Sequence, residues 1–224
     1  MSLIRDAARS RSPKLRNIVA DSPAPNAHTE AELAALIGLL TAPRSRIRSV
    51  AVGHGRDAEC RTAAQAFIRA WQALHRDVLA VVDWPEDAAS WLRPARRLTA
   101  QAPDAWVLAG APLGVAQLAR RLRQSTEWHP ARTFGFASLG TPRLVELAGA
   151  DTVHGLRGAS ADGGTWDMRH GWTTHYEREQ ARRIRAGETL RKQTSFDDYL
   201  AQRTADPSYT FRQHLRRTGG AIEE

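Results

Sequence analysis

Cysteine, lysine and long apolar runs are what this 224-residue sequence has least of. Cys60 is its single cysteine, so no disulfide can form within the chain and no cysteine-based zinc site can be built. Cys60 falls among Ala64, Phe67 and Ile68 at helical spacing, which marks it as a small buried hydrophobe rather than a nucleophile. No uninterrupted apolar run approaches the ~18–20 residues of a membrane span. The first 28 residues carry basic side chains but no apolar core of the kind a secretory signal needs, so the expectation is a cytoplasmic protein. There is no G-x-S-x-G elbow to hold a strained serine, so Ser160, Asp167 and His170 form a hydrolase triad only in residue type. His154, Asp167, His170 and His175 match no standard metal-ligand spacing. The expectation is therefore a non-enzymatic protein with no metal and no cofactor.

Lysine occurs only at Lys14 and Lys192, and every other basic residue is arginine. The formal net charge is +8, which permits a polyanionic partner, but the arginines are spread over the whole chain and read first as general surface charge. A chain of this length buries roughly 70% of its unfolded surface and needs no staples to fold.

The chain is organised around residues 48–84. Val50 and Val52 carry an apolar run that Gly53, His54 and Gly55 end. Cys60, Ala64, Phe67, Ile68, Trp71 and Leu74 then recur at three- and four-residue steps, the helical period. Residues 78–82 make a second apolar run, read as a strand buried on both faces. Two strands joined by a helix lie most simply in parallel, with a right-handed crossover.

Other elements follow in order. Residues 1–28 read as a flexible basic arm. Thr29 and Glu32 fit a capping box ahead of a stripe of Leu33, Leu36, Ile37 and Leu40. Pro94 predicts a kink or two short helices between residues 86 and 100. Residues 105–109 predict a third strand, 113–124 a helix, 133–137 a fourth strand, 142–148 a helix ending at Gly149, and 153–156 a fifth short strand. The pattern implies an α/β fold: a doubly wound, mainly parallel five-stranded sheet with helices on both faces, plus a C-terminal helical tail. The lobe is expected over residues 29–160. Residues 161–224 form a loop and tail, with an Arg-rich helix at 176–192 and shorter helices at 196–202 and after Pro207.

Open parallel sheets bind ligands beyond the carboxyl ends of their strands. The residues expected there are His54, Arg56, Asp83, Trp84, Gly110, Ser138, Thr141, Arg157 and Ser160. Glycine lets a ligand approach the backbone, the hydroxyls hydrogen-bond it, Trp84 stacks on it, and Arg56 and Arg157 pair with an anionic group. An alternative is a nucleotide site. Gly53 and Gly55 fit G-x-G-x-x-A between strand and helix, and Asp83 ends the next strand where an acid would hold ribose hydroxyls, although Asp57 in the turn would repel a pyrophosphate. A further alternative is association with nucleic acid through the arm and the Arg-rich helix. Glu177, Glu179 and Glu188 interleave with that helix's arginines, and spacing such as Glu179 with Arg183 suits a solvated, salt-bridged surface.

Three stretches carry a family resemblance: VAVGHGRDAECRTAAQAFIRAW, PDAWVLAGAPLGVAQLARRLR and RTFGFASLGTPRLVELAGADTVHGLRGAS. The region from residue 47 to about 160 resembles one lobe of the type I periplasmic-binding-protein family, in its amino-acid-binding branch. That resemblance implies a non-catalytic fold that holds a small molecule between two lobes, with Ser138, Thr141 and the turn 110–112 on the cleft wall. The combined expectation is a small-molecule-binding or sensor protein that takes a small polar metabolite at the strand ends. Its tail would be offered to a second copy or a partner protein.

Overall fold

A computed structural model describes residues 25–43, 45–86 and 88–185. Most of the expected basic arm, the Arg-rich helix beyond residue 185 and the two later tail helices lie outside the described residues.

Helix α1 (Glu30–Leu40) opens with the expected capping box. The Glu32 amide donates to Thr29 Oγ1 at 3.0 Å, and the Thr29 amide donates to Glu32 Oε2 at 3.3 Å. Strand β1 (Ser49–Gly55) leads into helix α2 (Ala58–Ala73), and strand β2 (Asp77–Trp84) returns parallel to β1. The Asp57 side chain caps α2 by accepting from the Cys60 amide at 2.8 Å. Helix α3 (Leu92–Thr99) precedes strand β3 (Ala105–Ala109), which pairs parallel with the other side of β1. Helix α4 (Pro112–Ser125), strand β4 (Thr133–Gly135), helix α5 (Pro142–Ala148), the short helix α6 (Ala150–Val153) and strand β5 (Arg157–Ala159) complete the parallel part. Strand order reverses at β1, which lies between β2 and β3.

The fold is thus the expected doubly wound α/β sheet, enlarged by two strands. Strands β6 (Thr165–Arg169) and β7 (Trp172–Tyr176) add antiparallel to β5, so the sheet has seven strands in the order β2-β1-β3-β4-β5-β6-β7. The sequence alone predicts a loop for this stretch. Its two-residue turn uses His170 and Gly171 at φ 51° and 86°, the pair of positive values that a tight hairpin matched to strand twist requires. Tyr176 therefore ends a strand, and the arginine-rich helix α7 (Arg178–Arg185) starts two residues later than expected.

Three further elements differ from expectation. β2 is an edge strand with Val81 44% exposed, so it is not buried on both faces. Pro94 lies in the first turn of α3, where its missing N–H breaks no helical bond, so a single helix forms without a kink. Val153 closes α6 instead of opening a strand, and β5 begins only at Arg157. Val153 and Leu156 are both buried, and a short apolar run does not by itself separate strand from helix.

The core has two parts, one on each face of the sheet. Val50, Val52, Val107 and Phe134 face α1 and α2, packing on Leu36, Leu40, Phe67 and Trp71. Ala51, Trp106 and Leu108 face α3 to α6 with Leu98, Leu118, Leu122 and Leu144. Among the described residues, no helix is long and apolar enough to cross a membrane.

Candidate functional site

On the α3/α4 face, the carboxyl rim of the sheet is filled by tryptophan. Trp84, the last residue of β2, is fully buried, and its ring covers Gly53 and Gly110. A Cβ on Gly53 would stand 2.7 Å from Trp84 Cζ3, and one on Gly110 would stand 3.1 Å from Trp84 Cζ2. Trp166 occupies the corresponding space further along, over Gly135, Gly140 and Gly158, and its indole N–H donates to the Ala159 carbonyl at 3.0 Å. The expectation that Trp84 stacks on a ligand is therefore not met. The glycine at 53 admits an indole ring, not a phosphate.

The opposite face of the rim is open. A cavity of about 290 Å³ lies between the ends of β3 and β4 and helix α2. Gly110, Ser138 and Thr141 line it together with Glu59, Cys60 and Phe136. Residues 25–28 close its outer side, and the His28 ring meets Phe136 edge-on with centroids 6.1 Å apart. Nothing in the composition of that polar, proline-containing stretch signals this wall.

The cavity wall is braced by Glu32, which is 3% exposed. Its Oε1 accepts from the Ala137 amide and its Oε2 from the Thr29 amide, so one carboxylate ties α1 to the turn after β4. Burial raises the Glu32 carboxyl above its ordinary value, against the lowering effect of those two amides. The Ser138 hydroxyl donates to the Gly110 carbonyl at 2.9 Å, which joins the β3 and β4 turns. Thr141 stands at the N-cap of α5, as its place before Pro142 predicts, yet its hydroxyl makes no capping bond. Thr141 Oγ1 is buried and has no hydrogen-bond partner among the described residues. Burial, then the neighbouring Asp57 carboxylate, pushes the Cys60 thiol up, which leaves it inert.

The remaining expected residues are distributed as follows. Arg56 Nε donates to Asp83 Oδ2 at 2.6 Å, linking the β1 and β2 ends. That bond holds the Asp83 carboxyl below its usual range. His54 is half-buried, with Nδ1 2.7 Å from the Gly55 carbonyl. Ser160 follows β5 at the rim, where its Oγ lies 3.5 Å from His175 Nδ1, while Asp167 pairs instead with Arg169. Arg157 is at the wrong end. It is the first residue of β5, its guanidinium sits over the Phe134 ring, and it lines a cavity with Asp104 and Arg132, which precede β3 and β4. A strand over 153–156 would put Arg157 just past its carboxyl end, whereas β5 starts at Arg157 and puts it at the amino end.

The arrangement bears directly on the nucleotide alternative. The N-terminus of α2 is capped by Asp57, so an approaching pyrophosphate meets a carboxylate, and Asp83 is engaged by Arg56. Among the described residues, no cluster of three or more metal-ligating side chains is present.

Sequence reasoning missed Glu86. It follows β2, and its carboxylate lies over Gly114 at the start of α4 and near Gly55 at the end of β1. Both oxygens are buried, facing the Gly114 amide and the Trp84 indole without a full hydrogen bond. Burial raises this carboxyl to about 7. An acid one residue beyond a Trp-Pro pair looks like an ordinary turn residue, and only the packing shows otherwise.

No protein-family model and no curated protein matches the sequence. Solved structures do match the fold. A substrate-binding periplasmic protein from Ralstonia solanacearum superimposes with a TM-score of 0.53 at 19% identity, covering 86% of this chain and 55% of that one. An extracellular ligand-binding receptor from Rhodopseudomonas palustris gives 0.51 at 14% identity over 60% of this chain and 35% of that one. A leucine-binding protein from Thermotoga maritima gives 0.50 at 15% identity over 80% of this chain and 44% of that one. The fold is therefore that of one lobe of the type I periplasmic binding proteins, as the sequence resemblance implied. The chain spans between about a third and just over half of the length of these proteins.

Proposed function

We propose that this protein binds a small polar metabolite, without catalysis, in the cavity between Gly110, Ser138 and Thr141. The observation that carries the reading is the cavity at the carboxyl ends of β3 and β4, where Gly110, Ser138 and Thr141 meet and the Thr141 hydroxyl has no hydrogen-bond partner among the described residues. A buried hydroxyl without a partner costs free energy that a bound ligand recovers. Glu59 and His28 on the same lining suit a ligand that carries an amine beside an acceptor group, as an amino acid does. The fold shared with proteins described as a leucine-binding protein and as ligand-binding receptors supports the same class. Residues 25–28 supply part of the cavity's wall from within the same chain.

Isothermal titration of the full chain against the twenty amino acids and a set of small carboxylates tests the reading. A one-to-one isotherm that Thr141→Val weakens about tenfold, the worth of one hydrogen bond, is the expected result. Silence across both panels overturns it.

A further inference from the structure

The amino ends of the strands, opposite the proposed metabolite cavity, hold a second cavity of about 430 Å³. It lies beneath the end of α1 and against the residues that lead into β1, β3, β4 and β5. Its wall is apolar on one side, from Leu39, Ala42 and Ile47, with the buried Phe134 as its floor. Three guanidinium groups, Arg46, Arg132 and Arg157, line the rest.

These arginines are held in different ways. Arg157 is exposed and stands over the Phe134 ring, its Cζ 4.7 Å from the centroid, with the Asp167 carboxylate, itself paired with Arg169, as the acid that acts on it. It has no hydrogen bond or ion pair among the described residues. Arg132 donates to the Asp104 carbonyl through Nε and to the Pro103 carbonyl through Nη2, and sits over Trp106 at 5.5 Å. That rigid placement leaves further donors on Arg132 unused. Arg46 is exposed at the mouth. Among the described residues Asp104 is the one acid on the lining, and its Oδ2 already accepts from the Arg48 and Ser49 amides and from Ser49 Oγ. At the end of α1, the Ile37 carbonyl accepts from the Thr41 amide and the Leu40 carbonyl from Ser45 Oγ, so both are occupied. Three arginines therefore line the cavity against one engaged acid, Asp104, while Asp167 and Arg169 beside Arg157 form a pair of their own.

We infer that this cavity is a second binding site, for an organic anion whose carboxylate pairs with Arg157 and Arg46 while its apolar body lies along Leu39, Ala42 and Ile47. A guanidinium carries paired N–H donors in a planar fork, and a carboxylate accepts two of them in parallel. The apolar wall distinguishes such a ligand from a bare inorganic anion. The site is separate from the metabolite cavity and does not depend on it, since the two lie at opposite ends of the strands.

Titration calorimetry of the full chain with octanoate, octanamide and inorganic sulfate tests the inference. Octanoate is expected to bind one-to-one, at least tenfold more tightly than either octanamide, which lacks the charge, or sulfate, which lacks the apolar body. Arg157→Gln and Arg46→Gln are each expected to weaken octanoate at least tenfold, whereas Ser138→Ala in the other cavity leaves it unchanged. Failure of octanoate to bind at millimolar concentration overturns the inference. So does equal binding of octanamide or sulfate, or affinity unchanged in both arginine variants. Loss of octanoate binding in Ser138→Ala would assign it to the metabolite cavity and equally overturn a second site.

Discussion

The Glu86 carboxylate occupies the space that a Cβ on Gly114 would fill, so the acid after β2 and the glycine in the first turn of α4 fit together. The contact is closer than an ordinary side chain at position 114 would allow. It holds a carboxyl in a buried setting that raises it to about 7.

That raised value sets a pH dependence. Below the unfolded value near 4.5, Glu86 is protonated in both states and contributes no difference. From there up to about 7 the unfolded chain ionises while the folded one keeps its proton, so stability falls as pH rises. Above about 7 the penalty is constant at about 3 kcal/mol. Glu86→Gln should therefore match the wild type in urea midpoint at pH 4 and exceed it at pH 8. Equal midpoints at both values would mean that the carboxyl titrates normally.

Gly53 and Trp84 give a second prediction. An added methyl at position 53 would meet the Trp84 ring at 2.7 Å and Leu108 Cδ2 at 3.0 Å, both of them fully buried side chains. Gly53→Ala should cost about 1–3 kcal/mol through overpacking. Chemical denaturation measures it, and an unchanged midpoint would show that the ring shifts freely.

Glu32 braces two backbone amides from inside the protein. Glu32→Ala would leave the Ala137 amide without a partner and remove half of the α1 capping box. A loss of about 2–3 kcal/mol is expected. Thr29→Ala, which removes the hydroxyl that caps the Glu32 amide and donates to the Ala161 carbonyl, should cost about 1 kcal/mol. Thermal melts of both variants would reverse this ranking only if the capping hydroxyl mattered more than the buried acid.

Arg56 and Asp83 form a pair that is about half exposed on both sides, 59% and 43%. Such pairs contribute little, so Asp83→Ala should change stability by less than about 1 kcal/mol. Adding NAD or ATP should not shift the melting temperature of the wild type, because Asp57 holds the α2 terminus. A nucleotide-dependent shift that Asp83→Ala removes would restore the nucleotide alternative.

Much of the fold was legible. The capping box at Thr29 and Glu32, the strand at 105–109 and the helix at 142–148 appear where their residues predict. The carboxyl-rim residues were legible as a set only in part. Gly110, Ser138 and Thr141 come together at one cavity, Arg56 and Asp83 pair with each other, Trp84 turns inward, and Arg157 belongs to the other end. The antiparallel hairpin at 165–176 was missed because its strands are short and β7 is largely exposed, which leaves little alternation to read.

By itself the sequence determined whatever depends on near neighbours along the chain: hydrophobic period, helix caps, and the strand–helix alternation that requires a parallel sheet. Those signals arise from hydrogen bonds and side-chain spacing within a few residues. Tertiary structure alone decided which face of the rim is filled by Trp84 and Trp166 and which is open, and that Glu86 is buried against Gly114. It also decided that three arginines far apart in sequence share one cavity. These outcomes depend on volume and charge brought together across the sheet, where no local pattern in the chain records them.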